Sequence, residues 1–432
     1  MDAAPSPRLA NNSRIAIIGG GPAGSFFALS ALSIAARLNI HLDVAIFERK
    51  DLSAAGPRGC NMCAGILSLR AAQGLTALGL SLPPQVIRAQ IRAYQLHWSG
   101  HSVSIDPPDA RQVTSVYRAG GPRHSPYEPT AGFDAFLLGC AQARGAHIIP
   151  ERVERVTFDG ELPLVHTSAR EEVFELVVLA VGVNATPPVL QNLGYVRPRT
   201  EAMAQDELLI PPASRRAAMD GLVHVYFEQP RGLIFGALIP KGEFVNISLL
   251  GSHLGRDSIE QFLSIPEVTA VVGNASAGLC GCRPHVAVTP ARGYYADRFV
   301  AVGDACVTRL YKDGIGSAFV TAQAAAETAL RQGISRAAFA AHYAPVCRAI
   351  VNDNRFGRMV FGMVERSKTN ALFLRVLSRA LMSELNQEPD ARVLGRMLWA
   401  LFTGDSNYED IFKMMFKPES IARLASAMLR KV

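Results

Sequence analysis

The sequence predicts an α/β protein in which a parallel-stranded domain, discontinuous along the chain, carries an inserted antiparallel sheet and is followed by a helical region. Three observations lead there. An apolar run, RIAII, passes directly into GGGPAGS and an alanine-rich helical stretch, as a buried parallel strand entering a helix does. Segments such as QIRAYQLHWSGHSVSI and FVNISLLG alternate with a two-residue period and read as half-buried strands. From Ser335 to Val432 the chain is rich in Met, Phe and Leu with Arg interleaved, and it reads as helical throughout.

The stretch from Arg14 to Glu48 is the most specific. Its glycines fall at Gly19, Gly21 and Gly24, a GxGxxG spacing, with Pro22, Ala23 and Ser25 completing the turn. Gly19 can make a tight turn, Gly21 lets a pyrophosphate approach the backbone, and Gly24 lets the helix pack close on the strand. The helix then directs its free N–H groups and positive dipole end at the phosphates. A second strand, DVAIF, ends at Glu48, whose carboxylate can accept hydrogen bonds from the hydroxyls of a ribose. A glycine turn alone is weak. Strand, turn, helix, second strand and terminal acid in this order point to a bound adenine dinucleotide rather than to an unliganded α/β unit with Glu48 as a surface charge.

Composition bounds the possibilities. The chain has 432 residues, 49% of them hydrophobic, enough for a large core and two or three domains. No apolar run reaches the ~18 residues of a membrane span, and MDAAPSPRLANNS lacks an apolar targeting segment, so a cytoplasmic protein is expected. Seven cysteines in such a length are no disulfide framework. Of the net charge of +7, most falls after Ser335, where 15 Lys and Arg face 9 Asp and Glu. A C-terminal face attracted to something anionic follows, with peripheral contact to a membrane surface as one form of it. No zinc finger, RNA-binding signature or lysine-rich arm is present, and nucleic acid is not an expected partner.

After Glu48 and Arg49 comes a Gly- and Cys-bearing loop, which in a dinucleotide fold passes over the cofactor. Arg58, Cys60 and Cys63 are therefore candidates to lie near it. The second trusted signal is RFVAVGDACVTRLYKDGIGSAF: an apolar strand runs into Gly303 and Asp304, and Gly314, Ile315 and Gly316 open a long helix. A carboxylate at a strand end can bond a polyol, and a glycine-rich helix start offers N–H groups to a carbonyl or anion. In isolation Asp304 could equally be a helix cap. Taken together, the expected organisation is a discontinuous domain over 12–88, 112–186 and 291–334, a sheet domain over 89–111 and 187–290, and helices over 335–432.

With both segments in hand, the chain resembles an FAD-dependent oxidoreductase of the glutathione-reductase type, and within it the geranylgeranyl reductase-like flavoproteins, relatives of aromatic hydroxylases and flavin halogenases. GGGPAGS, FERK, GFDAFLLGCAQARGA, VGDA and DGIGSAF carry the likeness, over roughly Arg14 to Leu330. It implies a Rossmann-like FAD-binding domain with the diphosphate on Gly19 to Ser25, the adenosine ribose on Glu48, adenine near the backbone of Val153, the ribityl chain on Asp304 and the flavin pyrimidine edge at Gly314 to Gly316. Lys312 and Asp313 could polarise that edge, or be an ordinary exposed pair. The residues AVGVN lack the Asp-Gly pair of aromatic hydroxylases, Thr130 stands where an arginine commonly precedes the Phe-Asp of GFDAF, and no lysine in a halogenase-like GxP context appears near the first sheet strands.

The pairs Cys60–Cys63 and Cys280–Cys282 leave three readings open: small packed residues, a redox role beside the flavin, or four thiolates holding zinc or an iron–sulfur cluster. Cys306 could also face the flavin, whereas Cys140 and Cys347 read as helix core. The resemblance implies a reductase or dehydrogenase passing hydride between flavin N5 and a carbon–carbon bond of an apolar isoprenoid or lipid-like substrate, with NADPH or another reductant as donor. The alternatives are a monooxygenase or halogenase-like tailoring enzyme, and an electron carrier with a protein partner and a cysteine-based centre.

Overall fold

In the computed structural model, which describes residues 7–60, 64–98, 100–109, 113–210, 219–227, 232–252, 254–273, 275, 278–368, 370–388 and 391–429, the opening strand β1 (Ser13–Ile18) lies in the interior of a six-stranded sheet. Its run of apolar residues is explained by covered faces on both sides: Ile15, Ala16 and Ile17 are wholly buried. β1 pairs in parallel with β2 (Leu42–Phe47) on one side, Ile15 opposite Val44, and with Leu176–Leu179 on the other, Ile15 opposite Leu176. His147–Ile149 extends one edge, while Phe299–Ala301 and the antiparallel Tyr295–Ala296 extend the other. Four separated stretches of chain thus build one sheet.

Two helices cover one face of this sheet. α1 (Pro22–Leu38) starts with proline in its first turn, where a missing N–H leaves no bond unmade, and ends on Asn39 in the left-handed region at φ 56°. It packs along Gly314–Arg331, the helix opened by the second glycine cluster, with Phe26 edge-on to Phe319 at 5.4 Å between ring centroids.

The second six-stranded sheet runs Ala204–Leu209, Phe244–Gly251, Leu233–Lys241, Leu222–Tyr226, Ala93–Trp98, His101–Ile105. It corrects the expectation of a purely antiparallel sheet: Leu222–Tyr226 and Ala93–Trp98 are parallel neighbours. The reason is connectivity, since these strands come from the two separate stretches of chain assigned to this sheet and no hairpin joins them. The boundary expected between residues 88 and 89 falls within the strand Ile87–Ile91, which pairs with Val113–Val116 in a small three-stranded sheet.

One face of the second sheet packs on helices Arg256–Leu263 and Pro266–Val272 through Tyr226, Leu238, Ile247 and Phe262. The other face meets the C-terminal helices Ala344–Ser367, Ala371–Glu384, Val393–Thr403, Tyr408–Met415 and Pro418–Leu429, which bury Phe361, Leu381, Trp399 and Phe402 against Tyr94, Val223, Val225 and Phe235. Buried Glu384 accepts from the N–H groups of Leu394 at 3.1 Å and Gly395 at 3.0 Å, so a carboxylate caps the start of the next helix. The Met and Phe stripe is therefore partly core, although Met359, Leu372, Met382, Phe416, Ile421 and Met428 stay exposed. Among the described residues no helix is long and apolar enough to cross a membrane.

Because the α1 contact holds the two glycine-bearing segments together, Phe26→Ala should lower the unfolding free energy by about 3–5 kcal/mol, measured by urea denaturation. A loss near zero would show that this contact does not hold the segments.

Candidate functional site

Parallel strands end on the same edge of a sheet, and four adjacent ones here deliver the candidate residues to that edge. β1 delivers the glycine turn, β2 delivers Glu48, Leu176–Leu179 leads to Gly182, and Phe299–Ala301 leads to Gly303 and Asp304. A continuous cavity of about 500 Å³ runs from this edge to the face of the second sheet. Gly19, Gly21, Pro22, Ala23, Glu48, Arg49, Val153, Asp304, Lys312, Gly314 and Ile315 all line it.

The glycine turn is shaped by backbone packing. Gly19 has φ +111°, and a Cβ there would stand 2.8 Å from the carbonyl oxygen of Ala180. A Cβ on Gly24 would meet the carbonyl of Gly19 at 1.9 Å. Glu48 accepts from the N–H of Gly20 through one carboxylate oxygen and from the N–H of Lys50 through the other, both at 2.9 Å, so it fixes the turn it faces while keeping lone pairs for a ligand. Ser25 is wholly buried and its hydroxyl donates back to the carbonyl of Gly20 at 3.0 Å. Gly24 and Ser25 thus support the turn from behind rather than line the cavity, a correction to their assignment as diphosphate contacts.

At the other strand end, Gly303 has φ +60° and a Cβ there would lie 2.6 Å from Cβ of Ala23. Gly303 is therefore packing, and the functional group is Asp304. Burial pushes the Asp304 carboxyl above its ordinary range, opposed by the guanidinium of Arg118 and the N–H of Val183.

Arg118 lines the cavity and was invisible to motif reading. It makes a fork onto Asp134, at 2.5 and 2.8 Å, and Asp134 has no solvent exposure. Arg118 reaches Asp134 across the loop that precedes the helix Phe133–Ala143, whereas the family's position at residue 130 holds a threonine. A second arginine, Arg309, also lines the cavity and donates to the carbonyls of Gly404 and Ser406, tying this loop to the C-terminal helices.

Gly316 is engaged within the helix start rather than with the cavity. Asp313 caps the helix, accepting from Gly316 N–H at 3.0 Å, while Arg70 pairs with it at 3.1 Å and the Ser68 hydroxyl donates to it. The Gly316 N–H is consequently taken, and Gly316 does not line the cavity, whereas Asp313, Gly314 and Ile315 do. Lys312 turns the other way. Its ammonium nitrogen stands 4.2 Å over the ring of Phe235 and 5.5 Å over that of Phe402, at the aromatic end of the cavity. Burial, reinforced by nearby Arg309, pushes its pKa down to about 7.

Arg58 and Cys60 are further corrections. Arg58 sits exposed in the turn Gly56–Arg58, and neither it nor Cys60 lines the cavity. The loop folds back on itself, with Cys60 N–H donating to Gly56 and the Cys60 carbonyl accepting from Lys50. Cys63 lies outside the described residues. Cys280 accepts from the N–H of Arg123 at 3.3 Å and hydrogen-bonds Cys282, which favours the proton on Cys280 and the thiolate on Cys282. Among the described residues, no three His, Cys, Asp or Glu side chains converge as a metal site. Cys306 does not face the cavity: it is wholly buried, 3.6 Å from the sulfur of Cys347.

No protein-family model matches the chain, and no curated protein matches it in sequence. Solved structures share its fold. A geranylgeranyl bacteriochlorophyll reductase-like protein from Thermoplasma acidophilum superposes with a TM-score of 0.59 at 15% identity, over 97% of this chain and 100% of its own. A point mutant of the halogenase PltM, in complex with FAD, gives 0.62 at 16% identity, over 97% and 94%. A flavoprotein/dehydrogenase from Cytophaga hutchinsonii gives 0.61 at 14% identity, over 91% and 93%. The chain shares the fold of these solved structures.

Removing the guanidinium that forks onto buried Asp134 takes away a charged partner of a buried carboxylate, so Arg118→Ala should cost about 3–5 kcal/mol in urea denaturation. Asp134→Ala in the same background should recover part of that loss; a double variant with the two losses simply summed would argue against the pairing.

Proposed function

We propose that this chain is an FAD-dependent oxidoreductase acting on an apolar organic substrate. The observation that carries the reading is the single cavity joining the glycine turn, Glu48 and Asp304 to the apolar wall of the second sheet. The fit to the cofactor rests on physical features of the cavity. Gly19 and Gly24 have no room for side chains, and Asp304 is a carboxylate whose burial calls for hydrogen-bond donors such as polyol hydroxyls.

In this reading the N–H groups opening α1 hold the diphosphate, Glu48 the adenosine ribose, the region of Val153 the adenine, Asp304 the ribityl chain, and Gly314 and Ile315 the flavin edge. Bound FAD would supply two-electron redox chemistry, with hydride passing through its N5. The chain's own residues do the rest. Val223, Val225, Ala237 and Ile239 of the sheet, with Phe402 of the C-terminal helices, form a wall that excludes water and receives an apolar substrate. An isoprenoid or lipid-like molecule suits such a wall, with NADPH or a protein as electron donor. The exposed apolar side chains of the C-terminal helices, Leu372, Phe416 and Ile421 among them, would then rest on the surface that stores the substrate.

A second reading, oxygenase or halogenase chemistry, is favoured by one specific observation: an amine, Lys312, stands inside the cavity, where a hydrocarbon substrate has no use for it.

Protein purified under nitrogen should show a flavin spectrum with about one FAD per chain. Asp304→Ala and Gly21→Val should each be largely colourless, and full occupancy in both would contradict the assignment. Dithionite-reduced protein should reoxidise with prenyl lipids under nitrogen. Reoxidation by oxygen alone would transfer the case to the second reading.

A further inference from the structure

Buried charged groups around the cavity are nearly all answered. Asp134 is paired with Arg118, Asp313 with Arg70 and Ser68, and Arg309 with two carbonyls. Lys312 is different. Among the described residues its amine has neither a hydrogen bond nor a carboxylate, only the faces of Phe235 and Phe402. Aromatic faces attract a cation, but they do not replace the three hydrogen bonds an ammonium makes in water.

Two nearby hydroxyls are also unpartnered, but their oxygens are closed off from the cavity. The Tyr94 hydroxyl and the Thr308 hydroxyl are buried without a hydrogen-bond partner, and both residues line the same cavity. Tyr94 is 2% exposed, stacked on Phe402 at 5.8 Å with 22° between ring planes, so its position is set by packing. The Lys312 amine, open to the cavity with only aromatic faces beside it, is the polar group that a ligand can answer.

We propose that the Lys312 amine is the recognition point for an anionic oxygen on a flat, conjugated substrate, a carboxylate or an ionised acidic hydroxyl. This inference rests on the flavoprotein reading and names the polar end of its substrate. The amine supplies both charge and hydrogen bonds, and the rings of Phe235 and Phe402, the latter stacked on Tyr94, suit a planar body. The amine titrates near neutrality, depressed first by burial and then by Arg309. The neighbouring carboxylate, Asp313, is committed to Arg70, Ser68 and Gly316, and Asp405 to Trp399 and Leu69. Anion binding therefore needs the protonated amine and weakens as pH rises past it.

The test uses flavin-loaded protein and three probes of similar shape: 4-nitrobenzoate, 4-nitrophenol and neutral 4-nitroanisole, titrated by perturbation of the flavin's visible absorption. One or both acidic probes should bind at least about tenfold more tightly than 4-nitroanisole, and the tighter of the two identifies the oxygen. Affinity for 4-nitrobenzoate should fall about tenfold per pH unit above about 7. Lys312→Met should weaken the acidic probes about 10- to 100-fold, with its flavin content measured alongside. Lys312→Arg should keep the binding and lose the pH dependence. Equal affinity for 4-nitroanisole, no binding of any probe, or acidic-probe affinity unchanged in Lys312→Met overturns the proposal. A colourless wild-type protein sinks the flavin reading instead, whereas a yellow protein that fails to discriminate sinks only this inference.

Discussion

The site depends on one close approach: the first turn of α1 against the turn that carries Asp304. Where Ala23 and Gly303 meet there is no space for a second Cβ, which would lie 2.6 Å away. Two stretches far apart in the chain are held at that distance by parallel pairing through the sheet and by the packing of α1 on Gly314–Arg331. Glycine is needed there for what it leaves out. With larger residues the helices would move apart, and the edge that gathers Glu48 and Asp304 would no longer be one groove.

Features legible in the sequence were those written locally. The glycine spacing, the strand ending in Glu48 and the strand ending in Asp304 each declare their geometry within a few residues, and all three reach the same cavity. The fold class could be read for a similar reason, since hydrophobic period distinguishes buried parallel strands, alternating strands and helices. Ser25 and Gly316 belong to motifs, yet which side of a turn they face is decided by bonds to Gly20 and Asp313. Arg118 illustrates what stays hidden. Its pairing with Asp134 spans a loop, so neither position carries a spacing signal, and the sequence shows only an absence at Thr130. The cysteine pairs show what spacing leaves open: Cys280 hydrogen-bonds Cys282, Cys60 lies close enough to act on the charge of Cys282, and Cys63 lies outside the described residues.

Polar groups in the interior of the second sheet answer one another away from the cavity. Glu207 receives the Tyr117 hydroxyl at 3.2 Å and the Asn246 amide at 2.9 Å, with Lys241 at 3.8 Å. Each of these charges has company, as burial requires. The amine of Lys312 instead gathers with the rings of Phe235 and Phe402, facing the cavity where the second sheet and the C-terminal helices meet. That gathering separates a binding surface from imperfect packing.

Arg309 joins parts of the molecule that could otherwise have moved separately. Its guanidinium grips the carbonyls of Gly404 and Ser406 from the same short loop that holds Asp304 and Lys312. The roof of the cavity is therefore latched to its floor. Any breathing motion wide enough to admit a bulky guest must tug on that latch, so filling the chamber and adjusting the surroundings of its redox partner become mechanically one event.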